Sequence, residues 1–97
     1  MSLSEAQRKY LRGLAHRLRP CLTVGSAGVS PAVLSELEQQ LERHELIKVR
    51  VRIGDRDARR AAIGELATRG GAECVFRIGN VAVLYRRRAS EPGIVLP

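Results

Sequence analysis

Between Leu46 and Ile53 the chain reads Leu-Ile-Lys-Val-Arg-Val-Arg-Ile, so that Ile47, Val49, Val51 and Ile53 alternate with Lys48, Arg50 and Arg52. Side chains of an extended strand point to opposite faces in turn, so this stretch is a strand with one apolar and one cationic face. A helix would mix the two sets around its axis. The chain must therefore build a sheet that is covered by packing on one side. Three like charges in a row on the other side repel one another. That side is either a stripe facing an anionic ligand or a solvated edge that resists aggregation.

The flanking sequence supplies the cover. Ser4 opens a first helix with Gln7 in capping-box position, and Tyr10, Leu11, Leu14, Ala15 and Leu18 recur at helical spacing as its buried side. Arg8, Lys9, Arg12 and Arg17 form its basic face, and Pro20 is the expected stop. Cys21 to Val24 reads as a short buried strand. After Gly25-Ser26-Ala27-Gly28, Ser30-Pro31 are the N-cap and first residue of a second helix, which runs to about His44 with Val33, Leu34, Leu37 and Leu41 inward. Asp55 caps a third helix that extends to Arg69, with Ala58, Ala62, Ile63, Leu66 and Ala67 inward and Gly70-Gly71 as its end. Glu73 to Ile78 alternates again, which groups Cys74, Phe76 and Ile78, and Gly79-Asn80 is a two-residue hairpin turn into Val81 to Tyr85.

The order is αβαβαββ. Right-handed β-α-β crossovers put helices two and three on the same face of the sheet if the strands advance in one direction across it. The expected architecture is an α/β two-layer sandwich with a four-stranded mixed sheet, whose uncovered face carries Lys48, Arg50 and Arg52. Residues 1–97 are expected to form a single domain, with 89–97 as a short tail in which Ile94, Val95 and Leu96 either dock or stay loose.

Charge narrows the partner. The 97 residues carry 17 Lys and Arg against 10 Asp and Glu, a net charge of +7 that points to a polyanion. The distribution is uneven: residues 30 to 45 hold Glu36, Glu38, Glu42 and Glu45 against Arg43 alone, so helix two is expected to face away from such a partner. Arg86, Arg87 and Arg88 leave the last strand as a basic cluster. No metal-ligand spacing, G-x-S-x-G or Walker loop is present, so neither an enzyme nor a cofactor is expected. Cys21 and Cys74 read as core thiols, and His16 and His44 as packing or helix-end residues.

Of the three aromatic residues, Tyr10 and Phe76 hold core-pattern positions, which leaves at most Tyr85 to stack on a base. That excludes a reader that stacks several bases on its sheet, and leaves phosphates and shape as the means of recognition. The glycine loop suits this, because exposed turn amides beside a helix start favour an anion. About one G-x-x-G is expected by chance in a chain of this composition, so its context carries the argument. No apolar run approaches the roughly 20 residues of a membrane span, and Met1 to Arg19 is too polar for a secretory signal, so a cytoplasmic protein without a membrane partner is expected.

Leu14-Ala15-His16, Pro20, Val24-Gly25-Ser26-Ala27-Gly28, Glu45-Leu46-Ile47-Lys48-Val49 and Val83-Leu84-Tyr85-Arg86, in this order and spacing, resemble the CRM domain family and within it the stand-alone bacterial YhbY-like proteins. The resemblance spans about residues 3 to 97. It implies an RNA-binding domain with a fold similar to the C-terminal domain of translation initiation factor 3, associated with precursors of the large ribosomal subunit. It also places the family's G-x-x-G loop on Gly25, Ser26, Ala27 and Gly28, and its basic surface on Lys48 and Arg86. Arg50, Arg52, Arg87, Arg88 and Arg12 are added from pattern. Many members carry a basic residue inside the loop, whereas Ser26-Ala27 has none.

The expectation is a monomeric ribosome-assembly factor that binds rRNA of the large-subunit precursor, with no small-molecule substrate. Two alternatives come from other classes: a basic DNA-coating protein of the chromatin type, and an adaptor whose acidic helix two docks on a ribosomal protein.

Overall fold

A computed structural model describes residues 2–97. Helix α1 (Glu5–Ala15) starts at a capping box, in which Gln7 N donates to Ser4 Oγ at 3.1 Å and Ser4 N donates to Gln7 Oε1 at 3.0 Å. It ends five residues short of Pro20. Tightened turns, His16 N to Gly13 O and Leu18 N to Ala15 O, close it, and the chain straightens ahead of the proline.

Strand β1 (Pro20–Val24) pairs parallel with β2 (Leu46–Val51), and helix α2 (Pro31–His44) crosses between them. Helix α3 (Arg56–Gly70) then carries the chain two strand positions on, to β3 (Glu73–Ile78). The hairpin returns β4 (Val81–Tyr85) into the gap, antiparallel to both neighbours, so the sheet order is β1-β2-β4-β3. The mixed α/β sheet is thus as expected, and α2 and α3 share one face. There Leu37, Leu41, Ile63 and Leu66 close over Leu22, Val24, Ile47, Val49, Val51, Ala82 and Leu84. The two helices meet at Gly70, where a Cβ would lie 2.9 Å from Leu37 Cδ2. Gly71 ends α3 with φ +61°.

The second face is not fully open. Leu3, Leu11 and Ala15 from the α1 region, with Ile94 and Leu96 of the tail, cover Leu46, Val75, Val83 and Tyr85. This covers the end where β2 begins and β4 finishes, and leaves the other half bare. The tail is therefore docked. Its anchor is Glu45, the buried residue that caps α2 with φ +64° and accepts from Arg88 N at 2.7 Å, Gly93 N at 2.7 Å and Ile94 N at 2.9 Å.

Four local expectations change. Because α1 lies across the sheet end and buries only a narrow strip, Tyr10 is 43% exposed and Leu14 is 40% exposed. Tyr85, the residue left over for base stacking, is fully buried. Cys21 is exposed on edge strand β1, beside a register shift between Pro20 and Leu22, and Cys74 is half-buried, so only Cys74 approaches a core thiol. A second register shift between Cys74 and Phe76 separates that pair. Cys74 packs under α3, while Phe76 packs on the opposite face. Arg8 stabilises this irregularity by donating from Nη1 to Cys74 O at 2.9 Å and Val75 O at 3.1 Å.

Candidate nucleic-acid interface

Strands β1, β2 and β3 are mutually parallel, so their C-terminal ends meet along one margin of the sheet. The glycine loop leaves β1 at this margin. Gly28 N donates to Gly25 O at 3.0 Å to close a four-residue turn, which presents Ser26 and Ala27 at its exposed tip. Gly28 holds φ +80°, a region that disfavours any Cβ. Gly25 has no positive φ, and a Cβ there would meet nothing within 4 Å. The turn itself therefore requires only the second glycine. Beyond it, Ser30 Oγ accepts from Val33 N at 3.2 Å and Pro31 begins α2, as the sequence predicts.

Cations stand next to the turn. Arg52 N donates to Val24 O at 2.8 Å, which fixes an exposed arginine beside the loop. Thr23, Arg50, Val81 and Ile78 form one cross-strand row on the bare half of the second face, and Ile78 is 71% exposed. The next row holds Lys48, Val83 and Phe76. Arg12 reaches over from α1, its guanidinium carbon 5.1 Å from the Phe76 ring centroid. Arg12, Lys48, Arg50 and Arg52 take part in none of the ion pairs among the described residues. The structure thus places Arg52 beside the exposed turn of Gly25, Ser26, Ala27 and Gly28 and Arg50 on the adjoining bare face, with Lys48 one row further, at the border of the covered half, and Arg12 over Phe76 on the opposite edge strand. Such a surface can hold phosphates through turn amides, Ser26 and arginine forks.

Arg86, Arg87 and Arg88 lie at the other end of the sheet, about 17 Å away along six-residue β2 at the usual rise per residue. Two of them are engaged internally. Arg86 binds the carboxylates of Glu38 and Glu42, the latter at 3.2 Å, and donates to Gly70 O at 3.1 Å. Arg88 closes the end of α2 by donating to Arg43 O at 2.9 Å and Glu42 O at 3.3 Å, and also holds Glu91 O. Only Arg87 is exposed without such partners. The acidic charge of α2 is thus neutralised in part from within.

Glu45 sits at the centre of that end. Burial alone would push its carboxyl up, but backbone N–H bonds from Arg88, Ile94 and Gly93, together with the Arg88 charge, outweigh it and hold the group below the ordinary carboxylate value. Burial pushes the Tyr85 hydroxyl up.

Sequence reasoning passed over the outward side of α3. Arg56, Arg59 and Arg60 repeat at the i, i+3, i+4 spacing of a single helix face, a signal that was available. Their neighbour Arg77 could not be added without knowing how β3 packs beside α3.

The family model for the CRS1 / YhbY (CRM) domain matches residues 3–86. A Haemophilus influenzae protein described as RNA-binding is 41% identical over 96 residues, which is 99% of this chain and 96% of its own length. A Pseudomonas aeruginosa protein described as a probable RNA-binding protein is 40% identical over 87 residues, or 90% of this chain and 84% of its own. The solution structure of a Staphylococcus aureus protein, described as an RNA-binding candidate, superposes with a TM-score of 0.85 at 32% identity and covers 99% of this chain and all of its own.

Proposed function

The chain belongs to the CRS1 / YhbY (CRM) domain family, and from that premise we propose that it binds RNA and acts in ribosome assembly on rRNA of the large-subunit precursor. The relatives described as RNA-binding support the choice of nucleic acid. The observation that carries the reading is the exposed turn at Gly25 to Gly28 with Arg52 fixed beside it, Arg50 on the adjoining bare face and Lys48 and Arg12 at that face's border, none of the four in an ion pair among the described residues. In mechanism, the turn sets where a phosphate sits and the surrounding cations set how tightly it is held. Neither Ser26 nor Ala27 adds charge. With Tyr85 buried, Phe76 already under the Arg12 guanidinium and Tyr10 exposed singly on α1, the described residues offer no set of aromatics for stacking successive bases, and recognition rests on backbone and shape. The protein is taken to work as a cytoplasmic monomer without a cofactor. The adaptor alternative is weakened, because Glu38 and Glu42, the charges that would dock a basic partner, already hold Arg86.

Gly25→Asp tests the loop, since that position accepts a Cβ without strain. A carboxylate about 4 Å from a phosphate in water is repelled by about 1 kcal/mol, so RNA affinity should fall about fivefold with an unchanged melting temperature. Unchanged affinity would remove the turn from the interface. Crosslinking in cell extract, followed by sequencing of attached fragments, tests the rRNA assignment. Fragments drawn evenly from unrelated transcripts would sink it.

A further inference from the structure

A second cationic site lies on the same margin of the sheet, outside the surface described above. Arg56, Arg59 and Arg60 of α3 and Arg77 of β3 line an open cleft of about 460 Å³, with Ile63 and Gly79 completing its walls. Arg59 is held in place by donating from Nη1 to Ile53 O at 2.9 Å, while Arg56, Arg60 and Arg77 are exposed. None of the four forms an ion pair among the described residues, and no carboxylate lines the cleft.

Such a cluster opposes the fold. Like charges at i, i+3 and i+4 repel, and although Asp55 at the N-cap and Asp57 in the first turn suit the dipole of α3, three arginines in its first turns act against it. An anion in the cleft would offset both. Four arginines and a single apolar wall residue suit forked contacts to phosphate, whereas a protein partner would want an apolar centre. The cleft also continues the first surface. Asn80 O accepts from Val51 N at 2.6 Å, which ties the hairpin to the end of β2, next to Arg52 and the glycine turn. From β1 to β3 this margin spans three strand spacings, roughly 14 Å.

We propose that the Arg56, Arg59, Arg60 and Arg77 cleft is a second phosphate-binding site, which engages another stretch of the backbone of the RNA held by the glycine turn. The proposal rests on the RNA-binding reading.

The test compares the wild type with R56Q/R60Q/R77Q, which spares the anchored Arg59, in binding a labelled synthetic RNA hairpin over a range of salt. The expected slope of log affinity against log salt is shallower by about 0.7 to 0.9 for each lost phosphate contact. An equal slope in the two proteins, with salt-dependent binding by the wild type, overturns the cleft and leaves the RNA-binding reading standing. A wild type that does not bind the hairpin overturns both. Poly-glutamate that competes as well as RNA of equal charge overturns the choice of RNA for the cleft. Should the triple variant melt early, R77Q alone, on the exposed end of an edge strand, gives the same comparison with one expected contact.

Discussion

The two ends of the sheet use arginine in opposite ways. At the margin where β1, β2 and β3 finish, Arg50, Arg52, Arg56, Arg60 and Arg77 hold no carboxylate among the described residues. At the far end, Arg86 bridges Glu38, Glu42 and Gly70 O, and Arg88 caps α2 and follows the tail held by Glu45. A cation that is itself largely buried and already holds two carboxylates and a carbonyl, as Arg86 does, gains little from a phosphate. A cation surrounded by like charge gains a great deal. Basic runs in a sequence therefore do not all mark the same role, and here the densest one, Arg86-Arg87-Arg88, contributes mainly to the fold.

The largest test of this contrast removes Lys48, Arg50 and Arg52 together. Their replacement by Gln should make the salt dependence of RNA binding shallower by about 2 to 3 in log-log slope and leave the melting temperature nearly unchanged. A large loss of stability with an unaltered slope would reverse the roles assigned to the two ends.

Glu45→Gln comes next, on the far end. Loss of a charged acceptor of three backbone N–H groups should lower stability by about 2–3 kcal/mol and free the tail, read as faster amide exchange at Gly93 and Ile94. The same carboxyl sets a pH dependence. Its folded value lies below the ordinary 4.5, so the stability it contributes is full above that pH and is lost as pH falls through the folded value. Wild-type melting should therefore drop more steeply in acid than that of the Gln variant, and parallel curves would remove Glu45 as the anchor.

Arg86→Gln should cost about 1–2 kcal/mol of stability and leave the salt slope alone, since its partners are internal. The smallest effect is expected at Arg87, the far-end arginine that is exposed and unpartnered. Arg87→Gln should stay within about 0.5 kcal/mol in stability. A slope change approaching that of one full contact would extend the RNA surface to the far end and blunt the contrast.

Much of this was legible beforehand, for local reasons. The caps at Ser4, Ser30 and Asp55, the αL end at Gly71 and the Gly79-Asn80 hairpin each depend on a few adjacent residues, and each stands where the sequence puts it. Period-two alternation identified β2 because its faces differ in chemistry. The same rule misgrouped Cys74 with Phe76, because a bulge changes register without leaving a mark in residue type. Tyr10 and Tyr85 exchanged places for a related reason: helical and strand spacing say which residues share a face, but not which part of that face a neighbouring element covers.

The sequence by itself determined the order of elements, the α/β class, the excess of positive charge and the family to which the chain belongs. The tertiary structure alone decided which cations are free. Arg86 meets Glu38 across 48 residues of chain and Arg88 N meets Glu45 across 43, while Arg77 joins Arg56 and Arg60 only once β3 has packed back beside α3. Residue type and spacing fix what a side chain can do. Whether an arginine finds a carboxylate of its own or is left for a phosphate depends on contacts between distant parts of the chain, and those exist only after folding.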